Sequence, residues 1–111
     1  MNVVVLRGHL SREPEHRELA SGSHVVGYEL TVARDDGPAE TVPVVWNDPP
    51  ASAAIDHDAG AEVVVLGRVR RRFFRAAGAT QSRTEVVAEE LLDAGQTRKV
   101  RGLLARAADR L

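Results

Sequence analysis

Arginine recurs at every second position in the middle of the stretch from Glu62 to Ala88. In an extended strand, alternate residues share a face, so Arg68, Arg70 and Arg72 would project together. Phe74 would end this row on the same face. Guanidinium groups pair well with phosphate, and an aromatic ring offers a surface on which a base can stack. The pattern therefore favours contact with an unpaired polynucleotide.

The positive charge of the chain is concentrated around this row. Six arginines and no acidic residue lie between Arg68 and Arg83, whereas the whole chain has a formal net charge of −1. The net charge therefore gives no reason to expect a polyanionic partner. The clustering of positive charge in one stretch does give such a reason. All but one of the 15 basic residues are Arg, a bias that a GC-rich genome could impose. The position of each Arg is thus more informative than the total.

Composition and motifs exclude several classes of function. Without Cys, disulfides, thiolate chemistry and Cys-ligated metals are ruled out. The four His have no ligand spacing, and no phosphate loop, nucleophile elbow or carboxylate pair is found, so we predict no metal, cofactor or catalysis. The early apolar run Val3–Leu6 is too short for a signal peptide or membrane span. We therefore expect a cytoplasmic protein without membrane association.

A chain of 111 residues fits one domain, and alternation of apolar and polar residues predicts five strands in it. They are Asn2–Leu10, Val25–Arg34, Glu40–Trp46, Glu62–Phe74 and Arg83–Ala88. The last two would form a long hairpin around a turn at Ala76–Thr80. On the fourth strand the residues predicted to face the core are Val63, Val65, Gly67 and Val69.

The segments between these strands contain turn signals and bends. Ser11–Gly22 is polar and is predicted to be a loop, and Asp35–Pro38 is predicted to be a turn. Gly8 within the first strand predicts a bulge or sharp bend. Pro43 lacks a donor for the sheet, so its strand should lie at an edge or be bulged there.

Two helices are predicted. Ala51–Asp58 is Ala-rich and is followed by Gly60, which is typical of a short helix with a Gly stop. From Thr97 onward the apolar residues recur with helical spacing, and basic residues surround them. This stripe consists of Val100, Leu103, Leu104, Ala107, Ala108 and Leu111. The helix could cover the sheet or contact another subunit, and we divide the chain into a domain at 1–95 and an amphipathic helix at 96–111.

Five strands with a short helix between the third and fourth have the order of an OB-fold. We therefore predict an all-β, five-stranded Greek-key barrel followed by a C-terminal helix. Many OB-folds bind single strands or oligosaccharides, but the fold alone does not determine function.

Over Asn2 to about Leu92 the sequence resembles the bacterial single-stranded DNA-binding proteins. The segments that carry the resemblance are Val4–Leu10, Arg12–Glu15 with Arg17, Gly22–Arg34, Val44–Trp46, Gly60–Arg70 and Thr84–Ala88. Their order and spacing are characteristic together, although no single segment is. The resemblance implies an OB-fold that assembles as a homo-oligomer, a tetramer or dimer, with DNA wrapped over aromatic and basic side chains.

The resemblance also implies roles for individual residues. Trp46 and Phe74 match positions where the family stacks bases, and Arg70 and Arg72 match its basic positions. Other positions depart from the family: Glu40 and Glu18 replace usual aromatic residues, and the loop at 35–39 is short and lacks an aromatic. Because each stacked base contributes about 1–3 kcal/mol, these losses should weaken binding and increase its dependence on arginine.

The end of the sequence departs furthest from the family. Typical members finish with a flexible tail whose short acidic tip recruits replication and repair enzymes. Here the chain finishes in a basic amphipathic helix at Leu111. We therefore expect a short member of the family without a recruitment tail.

Several of these residues have a simpler interpretation as well. The arginine row could be a solvated strand face paired with acids such as Glu85. Trp46 could belong to the core rather than stack on bases. Tyr28 shares a face with apolar residues and is predicted to be core, whereas Phe73 is predicted to be a rim or interface contact.

The leading hypothesis is a non-enzymatic protein that binds single-stranded DNA without sequence preference, in replication, repair or recombination. The predicted contact residues are Trp46, Arg68, Arg70, Arg71, Arg72, Phe74, Arg75 and Arg83. The alternative is a protein-interaction OB module of a replication or primosome complex with incidental nucleic-acid affinity. Quenching of Trp46 fluorescence by oligo-dT is expected only for the first. A third possibility, an RNA chaperone, differs only in sugar preference.

Overall fold

The computed structural model describes all residues 1–111 and is mostly β. Its elements are β1 (Val4–Leu10), β2 (Glu15–Glu18), β3 (His24–Val32), β4 (Glu40–Asn47), β5 (Glu62–Ala76), β6 (Ala79–Asp93) and α1 (Thr97–Ala108). The five predicted strands correspond to β1, β3, β4, β5 and β6, although β6 extends beyond the prediction at both ends. Six strands and a C-terminal helix are consistent with an OB-fold.

All six strands belong to one sheet whose pairing returns to its start. The order is β1-β5-β6-β4-β3-β2, and β1 pairs with β3 as well, so pairing runs in a ring through five strands. β1 pairs with β5 from Val4 to His9 and reaches β3 at His9 and Leu10. A Cβ atom on Gly8 would lie 2.3 Å from the backbone oxygen of Thr31. Only glycine fits where β1 passes so close to β3. The alternative of a bulge at Gly8 is wrong, because β1 keeps its register with β5 through this residue.

The main core consists of alternate residues from β1, β3, β4, β5 and β6. Its buried members are Leu10, Val26, Tyr28, Leu30, Val44, Trp46, Val63, Val65, Val86, Ala88 and Leu91. The prediction that Tyr28 is a core residue is confirmed, since it is only 5% exposed. Val69, predicted to face this core, is 45% exposed because the β5–β6 hairpin extends past the other strands there.

The hairpin contains one irregularity, between Leu66 and Gly67. Leu66 pairs with Glu90 and Gly67 pairs with Ala88, which leaves Glu89 as the extra residue of a β-bulge. A Cβ atom on Gly67 would lie 2.2 Å from the backbone oxygen of Val87, so the two strands approach here as only glycine permits. The bulge lies between the part of the hairpin under α1 and the part that carries the arginines.

α1 packs on the other side of β5 and forms a second, smaller core. Val64 and Leu66 of β5 are buried against Leu103 and Ala107 of α1. Leu66, which alternation places on the arginine face, is therefore fully buried by the helix. The predicted amphipathic helix lies over its own sheet, and the boundary proposed at residue 95 remains a prediction.

Two ion pairs hold α1 against β6. Arg106 donates two hydrogen bonds to the carboxylate of Glu90, at 2.8 and 2.6 Å, and these bonds raise the pKa of the Arg106 guanidinium. Arg110 pairs with Glu89. α1 has 12 residues and is the one helix of the structure. It does not have the length and apolarity that are needed to cross a bilayer.

The predicted helix at Ala51–Asp58 is wrong. This segment is a turn followed by irregular chain, and its backbone takes part in two turn bonds. They run from the N–H of Ala53 to the carbonyl of Pro50 at 2.9 Å and from the N–H of Ala61 to the carbonyl of Asp58 at 3.1 Å. An eight-residue helix gains few hydrogen bonds for the entropy that its first turn costs. Here Ala53 and Ile55 instead pack individually against the main core.

The predicted loop Ser11–Gly22 is wrong over part of its length, because it contains β2. This strand pairs with β3, and all four of its residues are exposed. The prediction from Pro43 is also wrong, because β4 lies between β6 and β3 and keeps its register with β3 at Pro43, with no bulge. The missing donor is tolerated because the parallel pairing of β4 with β6 covers only Val44 and Val45, beyond Pro43.

Candidate nucleic-acid interface

The arginines lie on a hairpin that projects beyond the core. β5 and β6 continue as a two-stranded ribbon as far as the turn residues Ala77 and Gly78. Both turn residues have positive φ, at 52° and 77°, which suits the right-handed twist of a two-residue hairpin. The turn predicted at Ala76–Thr80 is thus present, and the ribbon exposes its two faces.

The outer face of this ribbon, opposite the main core, carries the arginine row. Cross-strand pairing sets Arg68 beside Val87, Arg70 beside Glu85, and Arg72 beside Arg83. Residues opposite each other in an antiparallel pair share a face, so the row and Arg83 lie on one side. The grouping expected from alternation is therefore present in the folded chain.

Glu85 lies within the arginine row and is almost entirely buried, at 1% exposure. Its two carboxylate oxygens accept hydrogen bonds from Arg70, at 2.7 Å, and from Arg72, at 3.3 Å. The two guanidinium-bearing side chains are 35% and 44% exposed. The predicted pairing with Glu85 thus exists, but its acidic partner is inaccessible to solvent. Arg68 has no carboxylate partner.

The aromatic residues near the hairpin tip lie on opposite faces. Phe74 is half-buried on the outer face, and the guanidinium of Arg72 lies 5.3 Å from the centre of its ring. Phe73 is 64% exposed on the other face, with Arg71 at 5.4 Å from its ring centre. An aromatic ring on the same face as the arginine row is therefore available at Phe74.

Trp46 lies apart from the arginine row. It is 5% exposed and belongs to the main core on β4. Its burial favours the core alternative over base stacking, because an indole enclosed by apolar side chains has no free π face for a base. On β4 the side chain follows the inward alternation of Val42 and Val44.

Two further predicted contacts, Arg71 and Arg75, lie on the ribbon face that continues from the core. Arg71 donates a hydrogen bond to the hydroxyl of Ser82 at 3.0 Å. Arg75 donates to the carbonyl of Gly78 at 3.1 Å. Neither has a carboxylate partner, and both are exposed. The hairpin therefore presents cations on both faces, with Arg68, Arg70, Arg72 and Arg83 on the outer one.

A cleft of about 280 Å³ extends the outer face across the sheet toward β2. We call it the outer cleft. It is lined by Arg12, Glu15, Arg17, Val25, Gly27, Tyr28, Val44, Val45, Arg72, Arg83 and Glu85. Sequence reasoning missed Arg12 and Arg17, because an exposed four-residue strand has too little alternation to show which residues share a face with β6.

The titratable residues elsewhere form no metal-binding group. His57 bonds Asp93 at 2.9 Å, and His16 lies 3.0 Å from His24. No group of three or more His, Asp or Glu side chains is arranged to hold a metal ion. Burial raises the pKa of the Tyr28 hydroxyl, and the negative charge of Asp56 raises it further.

Comparison with known proteins identifies the family of the chain. No curated protein matches the chain. A model of the single-strand binding protein family matches residues 1–93, from before β1 to the last residue of β6. The chain therefore belongs to the single-strand binding protein family, and this membership indicates single-stranded DNA binding.

Proposed function

We propose that the protein binds single-stranded DNA without sequence preference through the outer face of the β5–β6 hairpin. The observation that carries this proposal is the open arginine row on a projecting ribbon, in a chain of this family. Arg83 adds a fourth cation to the three of the row. Glu85 is the one carboxylate in this set, so the face keeps a net charge of 4 − 1 = +3.

The chemistry follows from the arrangement of these side chains. Guanidinium groups hold backbone phosphates, and Glu85 restrains Arg70 and Arg72, so less side-chain freedom is lost on binding. Phe74 supplies a ring for stacking, which needs no base-specific hydrogen bonds and so is tolerant of sequence. Arg71 and Arg75 would contact a strand that passes around the hairpin. Trp46 is omitted because it is buried.

The proposal includes an OB-fold barrel and a homo-oligomer, a dimer or tetramer. Ring pairing through five strands supports the barrel. The unpaired side of β1 supports self-association, since Val4–Gly8 pair with β5 only and leave backbone groups free to pair with a second copy. Because unpaired DNA arises during replication, repair and recombination, we propose a non-enzymatic role in these processes in the cytoplasm.

Titration of a labelled dT homopolymer at several salt concentrations tests the proposal. Three or four phosphate contacts predict a slope of log K against log salt of about −2 to −3 for a single strand. The double variant Arg68→Gln/Arg72→Gln should lose about an order of magnitude in affinity, with a slope shallower by about 1.4.

The matched control is Arg98→Gln/Arg101→Gln. It removes the same charge from exposed arginines of α1 that have no carboxylate partner. This control should keep nearly all of the wild-type affinity and slope. An affinity that does not respond to salt, or an equal loss in both double variants, would contradict binding through the outer face.

The second candidate is the protein-interaction module, which the burial of Trp46 and the pairing of Glu85 favour. This second candidate predicts weak dT binding that is the same in Arg68→Gln/Arg72→Gln, the hairpin variant, and in the α1 control. Because Trp46 is buried, unquenched fluorescence no longer separates the two functions, whereas the variants do. Competition between dT and rU homopolymers tests the third possibility, an RNA chaperone.

A further inference from the structure

Asn2 precedes β1 and contacts the backbone of β5 through its side chain. β1 begins at Val4, which pairs with Gly67, so the register sets Asn2 opposite Val69. The Nδ2 amide of Asn2 donates a hydrogen bond to the carbonyl of Val69 at 2.8 Å, and its Oδ1 accepts one from the N–H of Val69 at 2.9 Å. The carboxamide thus makes the two bonds that an opposing residue of a strand would make.

Val69 lies where the β5–β6 ribbon leaves the body of the protein. β1 pairs with β5 no farther than Gly67, and no other strand lies along that edge of β5. On its other edge, β5 stays paired with β6 as far as the turn. Asn2 therefore provides the last backbone contact on the open edge, and from Arg71 onward only β6 supports β5.

Hydrogen bonding holds this point of the ribbon more than packing does. The side chain of Val69 is 45% exposed, and Asn2 is exposed as well. A two-stranded ribbon is only marginally stable by itself. Because two hydrogen bonds join one carboxamide to one residue, they limit both translation and rotation of β5 there.

The arginine that depends most on this contact is Arg68. Glu85 restrains the other two arginines of the row through their side chains, whereas Arg68 has no carboxylate partner. The direction of Arg68 is set by its backbone, which Asn2 fixes one residue further along β5, at Val69. Asn2 therefore restrains the row through the backbone, as Glu85 does through side chains.

We propose that Asn2 is a positioning residue for DNA binding, which fixes β5 at Val69 so that Arg68 reaches the same strand as the rest of the arginine row. This inference rests on the proposed function and adds an uncharged residue that itself touches no DNA. Without the Asn2 contact the ribbon would have more freedom to lose on binding, which lowers the affinity. The number of phosphates held would stay the same, so the salt slope would not change.

The binding test uses Asn2→Leu, which has a similar size and no hydrogen-bonding group, in the full chain without an N-terminal tag. For a dT oligomer of about 16 nucleotides, the upper end of OB-fold site sizes, we expect about a fivefold loss of affinity at the wild-type salt slope. The matched control is Ser21→Ala, which removes an exposed acceptor for the N–H of Ser23 in the loop between β2 and β3. This control should keep the wild-type affinity.

Amide hydrogen exchange separates positioning from a general loss of stability. In the wild type the N–H of Val69 is bonded to Asn2, whereas that of Arg71, on the same open edge, has no partner strand. We therefore expect Val69 to exchange more slowly than Arg71. In Asn2→Leu the N–H of Val69 should exchange as fast as that of Arg71, while Val65 of the main core keeps its wild-type rate.

The outcomes separate this inference from the proposed function. If the wild type does not bind dT, the proposed function fails and the inference fails with it. If the wild type binds and Arg68→Gln/Arg72→Gln is weakened, but Asn2→Leu binds like Ser21→Ala, only the role of Asn2 is overturned. Faster exchange at Val65 in Asn2→Leu would also overturn that role, because Asn2 would then stabilise the whole fold. A salt slope as shallow as that of the arginine variant would overturn it too, since phosphate contacts would then have been lost.

Discussion

At the scale of single residues, Glu85 determines how the arginine row can act. An acid among arginines suggests, in the sequence, a neutralised surface. The folded chain buries this acid at 1% exposure, so a polyanion bound as proposed would meet the guanidinium groups and not the carboxylate. Since one carboxylate serves Arg70 and Arg72, it restrains two cations while neutralising one charge. Glu85 is thus compatible with phosphate binding.

Tyr28 is the second residue whose burial has a measurable consequence. Its hydroxyl is buried without a hydrogen-bond partner in the protein, and a buried, unsatisfied hydroxyl costs about 1–3 kcal/mol. Tyr28→Phe keeps the ring and removes that hydroxyl. We expect the free energy of unfolding at neutral pH to be unchanged or to rise by about 1 kcal/mol, measured by urea unfolding followed through Trp46 fluorescence.

The same variant tests the raised pKa of Tyr28. In the unfolded chain the hydroxyl titrates near pH 10, whereas burial keeps it protonated in the folded chain above that value. Below about pH 10 the hydroxyl is neutral in both states, so the free energy of unfolding does not depend on pH through this group. Above about pH 10 the unfolded chain ionises while the folded chain does not, so the free energy of unfolding falls as pH rises. At about pH 11 the wild type should lose roughly 1.4 kcal/mol more than Tyr28→Phe. Equal losses in the two proteins would mean that Tyr28 is not buried as described.

At the scale of elements, α1 depends on Leu103 for its contact with β5. Leu103 is fully buried against Val64 and Leu66, whereas its neighbour Leu104 is 46% exposed. Leu103→Ala should lower the free energy of unfolding by about 2–4 kcal/mol, because it removes a buried side chain and leaves a cavity. Leu104→Ala changes helix propensity equally and should cost under about 1 kcal/mol. Similar losses in the urea midpoint would show that α1 does not pack through Leu103.

The elements predicted well from the sequence are those whose periodicity is long. The alternation of β5 and the helical stripe of α1 each extend over enough residues to identify their type and their faces. β2 could not be found, because Glu15–Glu18 has four exposed residues and no apolar alternation. The Ala-rich segment Ala51–Asp58 was wrongly predicted to be a helix. Helix propensity alone does not stabilise a helix of eight residues, and contacts of this segment with the main core favour irregular chain instead.

The candidate site was predictable only where it lies within one hairpin. Arg68, Arg70 and Arg72 share a face by alternation, whatever the rest of the chain does. Arg12 and Arg17 join them only through the pairing of β2 with β3 and of β4 with β6, which are contacts between distant segments. Local spacing contains no information about such pairings. Whether Trp46 is buried likewise depends on which face of β4 packs against the other strands, and local spacing does not show this.

At the scale of the whole molecule, the sheet uses its outer surface in two ways. Around Val64 and Leu66 that surface is covered by α1, and beyond the bulge at Gly67 it is open and cationic. The ion pairs of Arg106 and Arg110 hold basic residues of α1 against acids of β6. Arg106 and Arg110 are thus paired with acids, whereas Arg68 and Arg83 of the hairpin have no carboxylate partner. This separation lets a chain with a net charge of −1 present a cationic face.

The same arrangement predicts how α1 affects assembly. Leu103 and Ala107 of α1 cover Val64 and Leu66 of their own chain, so these two side chains are not free to bridge two copies. Association through the unpaired side of β1 would then be independent of the helix. Deleting residues 97–111 should therefore not lower the molecular mass measured by light scattering. It should instead raise the mass at high concentration, because the uncovered apolar patch associates with another copy.

Full-length Leu104→Ala is the control for this deletion, since it alters an exposed residue of α1 and leaves the packing intact. It should have the wild-type mass at every concentration. Circular dichroism must show that the shortened chain keeps its strands. If that folded chain has the mass of a monomer while the full-length protein does not, α1 joins the subunits and packs on the neighbouring copy. A full-length protein that is itself monomeric would instead contradict the proposed homo-oligomer.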